Sequence, residues 1–529
     1  MATGIRKHAS VGLLLLALCA VAACSRQESG DAAAAPAGVL RPRLKAIIVP
    51  QPVSLLPHEG FSYVDSQFSD AIFNNLVYAD HKGSLAPELA ESWEISADHR
   101  VYTLHLRRGV RFHDGRPFTA ADVRFTLENL IEKTQGRFVE TRFIEGHEDF
   151  LARRSAHARG ILILDDHTVQ VRLNAEFKFF LPFLAAEYTA ILPAALAGRS
   201  EEDFRWHPVG TGPFRLATRG NRAIGSRQYL VFSLEKFKGY FAPTGNTEAI
   251  DFYASNTSIE NSDLQHFDLV FVSDSEMLEL STHPGLTIIN SSPTILNFMV
   301  LNPGENDRMR QRLVRQLILH AINREELVRQ VFQNQALPAH SMLPFGLLGH
   351  NPYYRLETSR AAAIRAELPP GKISFTLLTV TKDKRGQVGE FLRRELARFD
   401  VDVKLIVMND QYDYFTRNIH EADGSVIMGG IPDYPAAFHF LSHLVEPNGY
   451  YNVRKFSRPG LQAKIAMLPS MDTVSEARML AEIRGDLENE ALYIPLYHYS
   501  NFIALRRRIK SITFKYGEVA DLARLEVTE

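Results

Sequence analysis

Few residues in this chain have the types and spacing to do chemistry, and their patterns argue against catalysis. His439 and His443 lie four apart, so one helical face could offer two imidazoles to a metal. Neither belongs to an HExxH pair and no cysteine stands near to complete a soft site, so core or surface histidines are the preferred reading. Gly210-Thr211-Gly212 lacks the lysine of a phosphate loop and the third glycine of a dinucleotide fingerprint, and reads as a structural turn. His113-Asp114 has the composition of a catalytic dyad, yet Asp114-Gly115 is a hairpin-turn pair with its own conformational reason to exist. No G-x-S-x-G elbow occurs. Asp433 stands just before the apolar run 436–441, where an acidic residue can cap a helix. These patterns call for no enzyme activity, no cofactor and no metal.

Cys24 carries a different chemistry. It closes Val21-Ala22-Ala23-Cys24, after Arg6-Lys7 and the apolar stretch 11–20, which is the anatomy of a bacterial lipoprotein signal covering 1–23. The apolar stretch is too short for a spanning helix of roughly 20 residues, so the expectation is a body tethered outside the cytoplasm through lipid on Cys24. Its only companion, Cys19, lies within the signal, which leaves no disulfide for the mature chain. Residues 24–40 are small and polar and read as a flexible leash. With 59 basic and 61 acidic residues, the net charge of −2 gives no global field for nucleic acid.

The elements that must position any site are legible in places. Residues 44–49 form an apolar run stopped by Pro50, consistent with a buried strand. From Val101, Tyr102, Leu104 and Leu106 alternate with polar residues; Thr119 and Asp122 then suggest a capping box ahead of a helix with Val123, Leu127, Leu130 and Ile131 on one face. Leu313, Leu317, Ala321 and Ile322 mark another helical face, and Asn323 with Glu326 can cap the helix that follows. Strand 373–380, helix 390–399 and strand 401–407 suggest a βαβ unit with a parallel sheet. A chain of 529 residues needs at least two cores.

Several stretches together resemble the family 5 extracellular solute-binding proteins, the peptide-binding and related receptors of ABC importers. They are Leu85-Ala86-Pro87-Glu88-Leu89-Ala90-Glu91-Ser92-Trp93-Glu94, Phe112-His113-Asp114-Gly115, Pro117-Phe118-Thr119-Ala120, Gly210-Thr211-Gly212-Pro213-Phe214, Val314-Arg315-Gln316 through Ala321-Ile322-Asn323-Arg324-Glu325, and Asp433-Tyr434-Pro435. The resemblance implies an α/β, two-lobed periplasmic-binding-protein-like fold with an extra subdomain inserted in the first lobe. Lobe I is expected over 41–292 plus 490–529, the insert near 86–204, and lobe II over 293–489. Hinge closure of such lobes over a ligand is a known mode.

By the same resemblance, the partners are a peptide or peptide-like solute, an ABC transporter permease and, through lipid, a membrane; the protein is expected to be a monomer. Asp433 falls where the family places the carboxylate that pairs with a ligand ammonium. Gly429 and Gly430, and Ser62 and Tyr63, fall beside the ligand main chain. Departures are present: Gly430 and Ile427 occupy positions where relatives carry an aromatic residue or an arginine, Leu55-Leu56-Pro57 stands for Leu-Asp-Pro, and Pro432 removes a backbone donor beside Asp433. A nickel complex, opine, oligosaccharide or haem is the alternative cargo, and an extracytoplasmic peptidase the alternative class.

Overall fold

The computed structural model describes residues 42–528 except 50–51, 53, 60–62, 136–137, 257–262, 273–279, 281–282, 302–305, 381–383, 409–424 and 453–454. Cys24 and Ser62 lie outside the described residues.

Hydrophobic strands buried on both faces need cover above and below. Arg43–Ile48, apolar throughout from Ala46, is such a strand at the middle of a seven-stranded sheet. It runs parallel to Ala249–Ala254 on one side and to Leu269–Val272 on the other. The hairpin Phe214–Ile224 with Arg227–Lys236 extends one edge, and Phe502–Arg506 with Leu286–Asn290 the other.

A second sheet orders six strands as Leu337–Pro338, Tyr493–Tyr499, Ile295–Val300, Ser425–Gly430, Ile373–Val380 and Val401–Met408. The last two are parallel, with Ile373 opposite Val401, and helix Lys384–Ala397 connects them as the βαβ pattern predicts. That helix starts earlier than expected because Val388 joins Phe391, Leu392 and Leu396 on its buried face. Tyr493–Tyr499, which the boundary at 490 assigns to the first lobe, pairs instead in this second sheet. All seven of its residues are buried, so it serves as an interior strand before the chain crosses back.

Two short links join the sheets, 291–294 and 500–501. The Ser291 amide donates to the Asn501 carbonyl at 3.1 Å, and the Asn501 amide donates to Glu518 Oε2 at 2.9 Å. Glu518 Oε1 also accepts from the Thr294 amide at 3.3 Å, so one carboxyl laces both links. Burial pushes that carboxyl up to about 7 despite these bonds.

Within 86–204 lies a four-stranded antiparallel sheet ordered Ala90–Ile95, Val101–Leu106, Thr168–Arg172, Ile161–Asp165. Helix Ala120–Thr134 begins as the capping pattern predicts, the Thr119 amide donating to Asp122 Oδ2 at 2.8 Å, and it buries Val123, Leu127, Leu130 and Ile131. Helix Arg312–Ala321 differs from expectation: Leu313 is exposed, and Val314, Leu317, Ile318 and Ala321 form the buried face. Asn323 does cap the next helix, accepting from the Glu326 amide at 3.0 Å.

The set-aside motifs have structural uses. A side chain at Gly210 or Gly212 would strike the Ile72 carbonyl, and His113 is held between the Gly210 amide and the Gly212 carbonyl. Arg508 pairs with Asp268. Among the described residues, no helix is long and apolar enough to cross a membrane.

Candidate functional site

Asp433 lies in the extended turn between strand Ser425–Gly430 and helix Ala437–Val445, and it does not cap that helix. The N-cap position is Ala436 and no side chain caps it. Asp433 Oδ2 instead faces His439 Nε2 at 3.0 Å. Among the described residues this is its only hydrogen bond, its Oδ1 takes no partner, and the side chain remains 38% exposed.

The other nitrogen of His439, Nδ1, faces Glu140 Oε1 at 2.9 Å, and Tyr434 donates its hydroxyl to the same oxygen at 2.8 Å. Glu140 sits in the 3₁₀ turn Val139–Phe143, far from Asp433 in sequence, and its side chain is fully buried. Burial alone would push the imidazole down, but the charges and hydrogen bonds of Asp433 and Glu140 reverse this and raise it to about 9. Burial alone would push the Glu140 carboxyl up, and here the hydrogen bond and charge of His439 hold it below the usual carboxylate value. The result is a linear carboxylate–imidazolium–carboxylate array ending at an accessible oxygen.

An aromatic seam encloses it. Phe143 stacks on Phe177 with ring centres 4.4 Å apart, Phe179 stacks on Phe438 at 5.7 Å, and Phe138 stacks on Tyr188 at 3.9 Å. Lys178 reaches Glu476 at 2.6 Å along the same contact. Such a dry wall strengthens every charge interaction inside it.

Other elements supply further polar groups. The turn Glu187–Thr189 contributes Glu187 and Tyr188, and helix Tyr63–Ile72 contributes Tyr63. Burial pushes the Glu187 carboxyl well above its ordinary value, a Ser66 hydrogen bond opposes, and the charge of Asp433 adds to the rise. Burial likewise raises Tyr188, with Glu140 and Asp433 contributing. The Tyr63 and Tyr188 hydroxyls and Glu187 Oε1 are buried without hydrogen-bond partners among the described residues, and such groups ordinarily find one. Sequence reasoning missed Glu140, Glu187 and Tyr188, and it set His439 aside as a core or surface histidine. The available signal was that His439 lies in a strongly apolar segment, where an imidazole needs a partner.

The two glycines part company. A side chain at Gly430 would meet Tyr451 and Phe440 at 2.8 and 2.9 Å, so packing requires this glycine. Gly429 is exposed. Their strand pairs with Ile373–Val380 only through Ser425 and Val426, which leaves its Met428–Gly430 end with a strand on one side only among the described residues. His443 accepts from the Tyr450 amide at 3.1 Å, so the His439–His443 spacing serves buried hydrogen bonding. The one described cluster of possible metal ligands is His58, Glu59 and Glu201, whose carboxylates are taken up by Arg205 and Lys133.

Two sheets joined by two short links, a small sheet inserted into the first half, and a polar site where the halves meet define a two-lobed binding protein of the periplasmic type. The solved DppA-type periplasmic binding protein of Helicobacter pylori, in complex with the peptide STSA, superposes with a TM-score of 0.75 at 20% identity, covering 92% of this chain and 98% of that one. The profile of bacterial extracellular solute-binding proteins, family 5 Middle, matches residues 84–452, and the chain belongs to that family. It is 25% identical over 374 residues to the glutathione-binding protein GsiB of Pectobacterium atrosepticum, covering 67% of each chain. It is 24% identical over 500 residues to heme-binding protein A of Haemophilus influenzae, covering 85% of this chain and 86% of that one.

Proposed function

We propose that this protein is an extracytoplasmic receptor that captures a peptide or peptide-like solute between its lobes and delivers it, chemically unchanged, to an ABC permease. The observation that carries this reading is Asp433, whose Oδ2 is held by His439 while Oδ1 has no partner among the described residues. That is the arrangement a ligand ammonium needs. The ligand main chain would run beside Gly429 and Gly430, where the strand has one open edge among the described residues, with Tyr63 approaching from the first lobe; Ser62 is kept in the site on the family resemblance alone. Backbone pairing of this kind gives affinity without reading side chains. Relatives named for glutathione and for a bound peptide support the class.

Lobe I is assigned 41–292 with the C-terminal residues after 500, carrying the insert near 86–204, and lobe II spans the intervening residues. Lipid on Cys24 would hold this monomer at the bilayer, where tethering raises the effective concentration at the permease. A non-peptide cargo is the second reading, favoured by the length of the match to the heme-binding relative.

Isothermal titration of a peptide panel tests the first reading. Asp433→Ala should weaken binding by about 2 to 5 kcal/mol, the cost of breaking a desolvated charge pair. Unchanged affinity for every bound peptide removes Asp433 from the site. A thermal-shift screen across peptides, haem, sugars and metal chelates should single out one class, since stabilisation follows ligand saturation.

A further inference from the structure

The charge state of the array that holds Asp433 follows from its geometry. Both ring nitrogens of His439 face carboxylate oxygens, at 2.9 Å to Glu140 and 3.0 Å to Asp433. An ionised carboxylate only accepts hydrogen bonds, and a neutral imidazole has a single N–H to give, so with both carboxyls ionised the two contacts require the doubly protonated ring.

The titratable groups facing that ring come from three elements. Glu140 comes from the turn Val139–Phe143, and Tyr188 from the turn Glu187–Thr189 with ring centres 6.5 Å away. Asp433 and Tyr434 precede the helix, and His443 lies one turn along it at 4.6 Å. In the described residues the ion pairs of both carboxylates run to His439 alone. Two carboxylates and one imidazolium leave one net negative charge, and Oδ1 of Asp433 is its accessible end.

We propose that His439 and Glu140 are positioning residues for ligand capture: the imidazolium fixes Oδ2 of Asp433, leaves Oδ1 for the ligand, and reduces two carboxylates to the single negative charge that one ammonium satisfies. This rests on the reading that Asp433 meets a ligand ammonium. Glu140 acts at one remove, because it keeps the ring protonated and oriented from the far side. The site is thereby tuned to one positive charge, and capture depends on a residue that touches no ligand.

The test uses the full chain with tetra-alanine and N-acetyl-tetra-alanine as probes, titrated calorimetrically from about pH 6 to about pH 10. Tetra-alanine binds the wild type and the acetylated peptide binds far more weakly. His439→Gln, an uncharged amide that turns its nitrogen to one carboxylate and its oxygen to the other, lowers tetra-alanine affinity about tenfold near neutral pH. The ratio of wild-type to variant affinity, in which the peptide's own titration cancels, declines toward one as the pH passes about 9, where His439 loses its proton. Nitrogen-15 imidazole NMR of the ligand-free protein supplies a readout independent of the peptide: His439 is doubly protonated at about pH 8 in the wild type and neutral there in Glu140→Gln.

A neutral wild-type His439 at that pH overturns the proposal. So does a wild-type to His439→Gln ratio near one at every pH while Asp433→Ala still abolishes binding, a result that spares the capture reading. If tetra-alanine fails to bind, or binds Asp433→Ala unchanged, the capture reading itself falls and takes the positioning role with it, whatever the NMR shows.

Discussion

His439 and His498 are equally hidden, at 1% and 2% exposure, yet their surroundings push the two imidazoles in opposite directions. His439 lies between two carboxylates and is raised to about 9. His498, on the interior strand Tyr493–Tyr499, has neither ring nitrogen hydrogen-bonded among the described residues. Burial, with the nearby charges of His350 and His340, pushes it down to about 3. Depth is the same; partners decide the charge. One imidazole is built into an array with two carboxylates, and the other is packed, without a carboxylate beside it among the described residues, where the chain leaves its second sheet.

The same substitution at both sites should therefore have opposite signs. His439→Phe leaves Glu140 buried without its counter-charge and should cost about 3 to 5 kcal/mol in urea denaturation. His498→Phe removes two unmatched polar atoms and should stabilise by about 1 kcal/mol. Equal losses at the two positions would break the contrast.

The pH profiles should diverge too. His439 has a folded value above its unfolded 6.5, so its stabilisation is fully present below about 6.5 and is lost as pH rises through about 9. His498 has a depressed folded value, so its contribution is present above about 6.5 and lost as pH falls toward about 3. Denaturation midpoints at about pH 5, 7 and 9.5 should show an alkaline loss absent from His439→Phe and an acid loss reduced in His498→Phe.

A smaller effect separates the paired glycines. Gly430→Ala must push into Tyr451 and Phe440 and should cost about 1 to 3 kcal/mol. Gly429→Ala meets the side-chain tip of Asn297 at 3.2 Å and Ile295 in ordinary contact at 3.6 Å, and should stay within about 0.5 kcal/mol in the same assay. Equal costs would mean that packing does not distinguish the two positions.

What the sequence disclosed follows from how local each signal is. The unit 373–408 was readable because strand, helix and strand each show their own period within a few residues. Leu313 was misassigned because Val314 and Ile318 give an equally regular face, and only tertiary packing chooses between them. Asp433 was visible only through the family likeness. Glu140 left no local trace, since it meets His439 across 299 residues. Tyr493–Tyr499 lies beyond the expected lobe boundary at 490 yet pairs in the second sheet for a related reason: membership of one sheet or the other is set by the partner strand, which sequence does not name.

Glu518 reaches both links between the sheets, and those links are only a few residues long. Relative rotation of the two halves must be absorbed by very few backbone torsions, all within reach of one carboxyl. If the halves close over a solute as proposed, a change at Glu518 should alter how long that solute stays bound with every binding group intact.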